Sequence, residues 1–131
     1  MARLVVIDDD KHVRELYHSE FSEIGHEVLT VPDGCELIAK LEEFNPDLIV
    51  LDIKSGDLEG LQLLQKIRGF APELPIVVCS AYDFSRWNIG RPTLDWCVVK
   101  SFDLTRLKAK VERALKAKTP FAFANGRFAK A

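Results

Sequence analysis

Apolar residues in this chain alternate between short continuous runs and longer helical periods. Leu4-Val5-Val6-Ile7 is a short run rich in β-branched residues. It is followed by Val13, Leu16, Tyr17, Phe21 and Ile24, spaced for one face of a helix. Val28-Leu29-Thr30-Val31 predicts a second strand. Leu37, Ile38, Leu41 and Phe44 predict a second helix, which Asn45-Pro46 stops. Leu48-Ile49-Val50-Leu51 predicts a third strand. Leu61, Leu64, Ile67 and Phe70 predict a third helix ending near Pro72 and Pro75. Ile76-Val77-Val78-Cys79 and Trp96-Cys97-Val98-Val99 predict the last two strands, and Leu104, Leu107, Val111, Ala114 and Leu115 a closing helix. Four of the five strand runs are apolar throughout, as in strands buried on both faces. Strand–helix alternation with short connections then predicts a doubly wound α/β fold on a parallel sheet. Between Asp83 and Asp95, Gly90 and Pro92 interrupt any stripe, so a short or irregular fourth helix, or a loop, is expected there.

The 131 residues suit one domain, expected over residues 1–118, with a frayed tail at 119–131 that has no period. Hydrophobic residues at 47% suffice for a core, and a net charge of −2 gives no global pull toward nucleic acid or an acidic membrane. No apolar run is long enough to span a bilayer, and the start does not read as a secretory signal. Cys35, Cys79 and Cys97 are odd in number, form no CxxC pair and sit in apolar contexts. They read as buried small hydrophobes, with a reducing cytoplasm as the expected location. His12, His18 and His26 read as exposed histidines on or near the first helix.

In a parallel α/β sheet, ligands gather beyond the carboxyl ends of the strands. Asp8, Asp9 and Asp10 follow the first run, Asp52 the third, Ser80 the fourth and Lys100 the fifth. Clustered carboxylates repel one another unless a cation is present, and hard oxygen ligands suit Mg2+. An Asp at the centre can attack phosphorus and form an acyl phosphate, with Ser80 and Lys100 holding phosphoryl oxygens. Taken singly, Asp8–10 also fit an acidic helix cap, Ser80 a strand-end cap and Lys100 a solvated lysine. The set makes the chemistry.

That set resembles the receiver domain of two-component response regulators, including the stand-alone chemotaxis type. Val6-Ile7-Asp8-Asp9-Asp10 resembles the family's first acidic cluster, and Leu51-Asp52-Ile53-Lys54-Ser55-Gly56-Asp57-Leu58-Glu59-Gly60 its phosphoacceptor segment. Ser80-Ala81-Tyr82 resembles its [ST]A motif and Val98-Val99-Lys100 its lysine strand, so the likeness runs over roughly residues 3–117. The resemblance implies the flavodoxin-like strand order 2-1-3-4-5. It implies Asp52 as phosphoacceptor and a Mg2+ site of Asp9, Asp52 and the Lys54 carbonyl as direct ligands, with Asp8 acting mostly through water. Ser80, Ala81 and Lys100 would bind the phosphoryl group.

Three departures stand out. Cys97 occupies the position of the family's switch aromatic, Ser101 that of its proline, and the Ser80–Lys100 spacing is about two residues short. Reception of phosphate is the expected function, with a sensor histidine kinase as donor, a downstream protein target and a homodimer as a further output. No direct DNA binding and no catalysis beyond self-assisted phosphotransfer and autodephosphorylation are expected. The alternatives are a receiver fragment of a larger regulator or hybrid kinase, and a pseudo-receiver acting without phosphate. A haloacid-dehalogenase-like phosphatase would need an acid where Lys54 stands. A flavodoxin-like electron carrier would need a Ser/Thr/Gly-rich loop in place of the three aspartates.

Overall fold

A computed structural model describes residues 1–53, 58–80, 97–101 and 103–117, without the side chains of Leu58 and Cys97. Five parallel strands form one sheet: β1 (Arg3–Ile7), β2 (Glu27–Val31), β3 (Leu48–Asp52), β4 (Ile76–Ser80) and β5 (Cys97–Val99). Their order is β2-β1-β3-β4-β5, as the resemblance implied. Helices α1 (Lys11–Glu23), α2 (Leu37–Phe44), α3 (Leu58–Phe70) and α4 (Thr105–Lys116) complete the described elements. The expected short or irregular helix within 83–95 and the frayed tail at 119–131 lie outside the described residues. Among those described, no helix is long and apolar enough to cross a membrane.

Strand parity divides the core in two. Val5, Ile7, Ile49, Leu51, Ile76 and Val78 face α2 and α3, packing on Leu37, Leu41, Leu64 and Ile67. Leu4, Val6, Leu48, Val50, Val77, Cys79 and Val98 face α1 and α4, packing on Tyr17, Phe21, Leu107 and Val111. Burying these residues on both faces is what holds a parallel sheet between two helical layers.

The helix ends follow local chemistry. Asp10 caps α1, its Oδ1 accepting from His12 N–H at 2.8 Å and Val13 N–H at 3.3 Å. Asn45 ends α2 at φ 53, a left-handed conformation that Asn tolerates, and Pro46 follows it. Gly25 turns the chain out of α1 at φ 101. Gly34 brings the β2–α2 turn against α3, where an added Cβ would stand 2.8 Å from a Leu63 methyl.

Two expectations fail. His26 is 8% exposed rather than a surface histidine. Its Nδ1 accepts from Ala2 N–H at 3.0 Å, and its Nε2 lies 3.0 Å from Glu112 on α4. The turn after α1 carries it inward between the chain start and the last helix, which helical periodicity alone does not reveal. Cys35 is exposed rather than buried, because it lies on the β2–α2 turn, while Cys79 is buried as expected. The Cys97 side chain lies outside the described set.

Candidate phosphoacceptor and metal site

Three strands deliver charge to one edge of the sheet with a common parity. Asp8 continues the Leu4, Val6 series of β1, Asp52 ends the Leu48, Val50 series of β3, and Lys100 follows Val98 on β5. Each apolar series runs out at the carboxyl edge, so the next same-face side chain can be polar. Asp8 N–H donates to the Val31 carbonyl, and Lys100 N–H to the Ser80 carbonyl, prolonging the ladders to these residues.

The Lys100 ammonium lies 2.9 Å from Asp52 Oδ1 and 2.9 Å from Asp8 Oδ2. Both carboxylates are buried, with the Asp8 side chain 2% exposed and that of Asp52 6%. Burial alone would lower the Lys100 pKa, but its contacts with Asp52 and Asp8 outweigh that and raise it. Lys100 therefore stays charged through the neutral range. Asp8 Oδ1 accepts from Asp10 N–H at 3.0 Å. Asp8 Oδ2 is buried, with the ammonium nearby but no well-directed hydrogen bond.

Asp9 joins the pair from the exposed side. One carboxylate oxygen from each of Asp8, Asp9 and Asp52 lies within 4.8 Å of the others. Three carboxylates against one ammonium leave the cluster at −2 when all are ionised. An all-oxygen donor set, a negative excess and an incompletely satisfied buried oxygen fit a hard divalent cation such as Mg2+. A cleft of about 560 Å³ opens beside Asp52, walled by the β2–α2 turn and by Glu59, Gln62 and Lys66 of α3.

Ser80 is fully buried at the end of β4. It has the parity of Ile76 and Val78, opposite to Asp52 and Cys79, whose Cα atoms are paired across β3 and β4. The structure thus brings Asp8, Asp9, Asp52 and Lys100 together and places Ser80 at the same sheet edge. Lys54 and Ala81 lie outside the described residues.

Two features were not read from the sequence. Arg14 of α1 reaches back so that Nη1 donates to the Asp8 carbonyl at 2.8 Å. A lone Arg four residues beyond the capping Asp10, beside Val13, Leu16 and Tyr17, was the available signal. Beneath the site, Tyr17 and Cys79 are buried together in the core cluster on the α1–α4 side. Burial, reinforced by Cys79, Asp8 and Asp52, pushes the Tyr17 hydroxyl well above its ordinary pKa. Burial is also the main cause that pushes Cys79 up to about 12, so its thiol stays protonated and inert.

The family model of the response regulator receiver domain matches residues 4–112. The response regulator TrrA of Thermotoga maritima, in complex with Mg(2+)-BeF, is 35% identical, with a TM-score of 0.75 over 87% of this chain and 99% of that one. A structure of the histidine kinase ThkA in complex with TrrA matches at 36% identity and a TM-score of 0.75, over 88% of this chain and 99% of the matched chain. Among curated proteins, the DNA-binding transcriptional regulator NtrC of Azospirillum brasilense is 33% identical over 91% of this chain. The response regulator MprA of Mycobacterium tuberculosis is 32% identical over 90%. The chain spans 25% of that NtrC and 52% of that MprA. Fold, strand-end chemistry and relatives converge, and the chain belongs to the response regulator receiver domain family.

Proposed function

We propose that this receiver accepts a phosphoryl group on Asp52 from a sensor histidine kinase, with Mg2+ held by Asp8, Asp9, Asp52 and the Lys54 carbonyl. The observation that carries the reading is the buried Asp52 carboxylate, 2.9 Å from Lys100 and grouped with Asp8 and Asp9. The kinase complex and the Mg(2+)-BeF complex of TrrA support it by likeness.

In the proposed step, an Asp52 carboxylate oxygen attacks the phosphorus of a phosphohistidine. The P–O bond forms as the P–N bond breaks, and the electron pair stays on the imidazole nitrogen, which takes up a proton. Lys100, charged and already at Asp52, follows the developing negative charge onto a phosphoryl oxygen. Ser80 and the Ala81 amide hold the remaining oxygens. When bound, Mg2+ neutralises charge on the transferring group. Water later attacks the phosphorus, releases inorganic phosphate and restores the carboxylate. The chain assists its own phosphorylation and hydrolysis and does not act as an enzyme on other molecules.

Residues 1–118 form the receiver in this reading, and output passes to a protein partner in the cytoplasm, a second copy of the chain included. The relatives favour one further reading. The match to a quarter of a DNA-binding regulator suits a receiver segment of a longer protein whose output is on DNA.

Incubation with Mg2+ and acetyl phosphate, followed by intact mass measurement, tests the proposal. Wild type should gain one phosphoryl group, and Asp52→Asn none. An equal gain in Asp52→Asn would place the acceptor elsewhere.

A further inference from the structure

The β1–α1 turn carries two of the three site carboxylates, and its peptide groups are tied from several sides. Asp8 N–H donates to the Val31 carbonyl at 3.1 Å. Asp10 N–H donates to Asp8 Oδ1 at 3.0 Å, and Asp10 Oδ1 caps the helix. The Asp8 carbonyl accepts from Arg14 Nη1 at 2.8 Å, a contact that is partly buried. Arg14 itself closes the first turn of α1, its own N–H bonded to the Asp10 carbonyl. The guanidinium therefore spans from the helix back to the strand end.

On charge alone this is a poor place for an arginine. A permanent positive charge near a cation site repels the cation, and near a helix N-terminus it opposes the macrodipole. What Arg14 offers in return is geometric. It is a rigid, planar donor that pins the peptide between Asp8 and Asp9.

We propose that Arg14 is a positioning residue for the metal site, holding the Asp8–Asp9 backbone so that both carboxylates face Asp52 at the spacing observed. This rests on the reading of Asp8, Asp9 and Asp52 as Mg2+ ligands. The two roles of Arg14 predict opposite signs. If its charge matters most, removing it tightens Mg2+ binding, and more so at low salt. If its hydrogen bond matters most, removing it weakens binding, by about tenfold as for other residues that orient metal ligands.

Calorimetric titration of the full chain with MgCl2 separates them, run on wild type, Arg14→Gln and Arg14→Lys at low and high ionic strength. The expected result is weaker binding by Arg14→Gln at both ionic strengths, and partial recovery in Arg14→Lys, which retains a donor at the end of a long chain. In metal-free protein, the Asp10 amide should exchange with solvent faster in Arg14→Gln than in wild type. Equal or tighter Mg2+ binding by Arg14→Gln overturns the inference while leaving the metal reading intact. Wild type that binds no Mg2+ overturns the metal reading and this inference with it. Circular dichroism checks that each variant is folded, and Arg14→Lys carries the test should Arg14→Gln fail to fold.

Discussion

On the α2–α3 side of the sheet, every buried residue of the core cluster is aliphatic, from Val5 and Ile7 through Ile49, Leu51, Ile67 and Ile76. On the α1–α4 side, the buried set includes Tyr17, Phe21 and Cys79, and its strand series end in Asp8, Asp52 and Lys100. Polar contacts also tie α4 to α1 and to the turn after it. Lys108 of α4 lies 2.6 Å from Glu20 of α1, and Glu112 of α4 lies 3.0 Å from His26. The core of one face is closed by aliphatic side chains alone, and the other spends part of its surface on polar groups that must be satisfied. A sheet clamped on one side by close-packed aliphatic residues can tolerate a buried, charge-rich edge on the other.

The comparison can be broken most forcefully on the aliphatic face. Ile67→Ala should lower stability by about 3 kcal/mol, because Ile67 is fully buried and its cavity cannot fill with water. Urea unfolding measures this, and Mg2+ affinity should stay unchanged. A loss of affinity would show that the two faces are not separable.

Lys100→Met tests the charged face. It leaves Asp8 and Asp52 buried without their countercharge and should cost about 2 kcal/mol in metal-free buffer. Lys100 has a raised pKa, so its contribution is fully present below the ordinary lysine value of 10.5 and is lost as pH rises through its raised value. The gap between wild type and Lys100→Met should therefore be constant from pH 6 to 9 and close above about 10.5. A gap that widens in alkali would contradict the ion triad.

His26→Leu probes the seam between the chain start and α4. Ala2 N–H would lose its acceptor and Glu112 its partner, at a cost of about 1–2 kcal/mol by urea denaturation. Unchanged stability would mean that water replaces both contacts without penalty.

The smallest effect is expected at the α1 cap. The Val13 and His12 amides hold Asp10 below its ordinary pKa of 3.8, so the cap is intact above that pH and is lost as pH falls through the lowered value. Asp10→Ala should shift the urea midpoint slightly at pH 7, and the shift should vanish in strong acid. Persistence of the full shift at low pH would assign it to helix propensity instead.

Most of the fold was legible because buried parallel strands are written as unbroken apolar runs. β1, β3 and β4 fall on the runs Leu4–Ile7, Leu48–Leu51 and Ile76–Cys79 to within a residue. The Asn-Pro stop after Phe44 was legible for a local reason, since Pro46 disfavours helical backbone at the residue before it and Asn45 tolerates the left-handed conformation it adopts. Cys35 and His26 were misread because their burial depends on which way a turn faces. Arg14 was passed over because its partner is a main-chain carbonyl, which no residue identity announces.

By itself, the sequence determined the order of elements and the placement of Asp8, Asp9, Asp52, Ser80 and Lys100 at strand ends, because side-chain period and solvent preference are local properties. Tertiary structure decided what those ends do to one another. The β2-β1-β3-β4-β5 order put β3 beside β1 and β4, and a shared parity aimed Asp8, Asp52 and Lys100 at one point. Only then did a lysine distant in sequence become the countercharge of two buried carboxylates, because Coulomb attraction and desolvation depend on distances of a few ångströms that residue order does not contain.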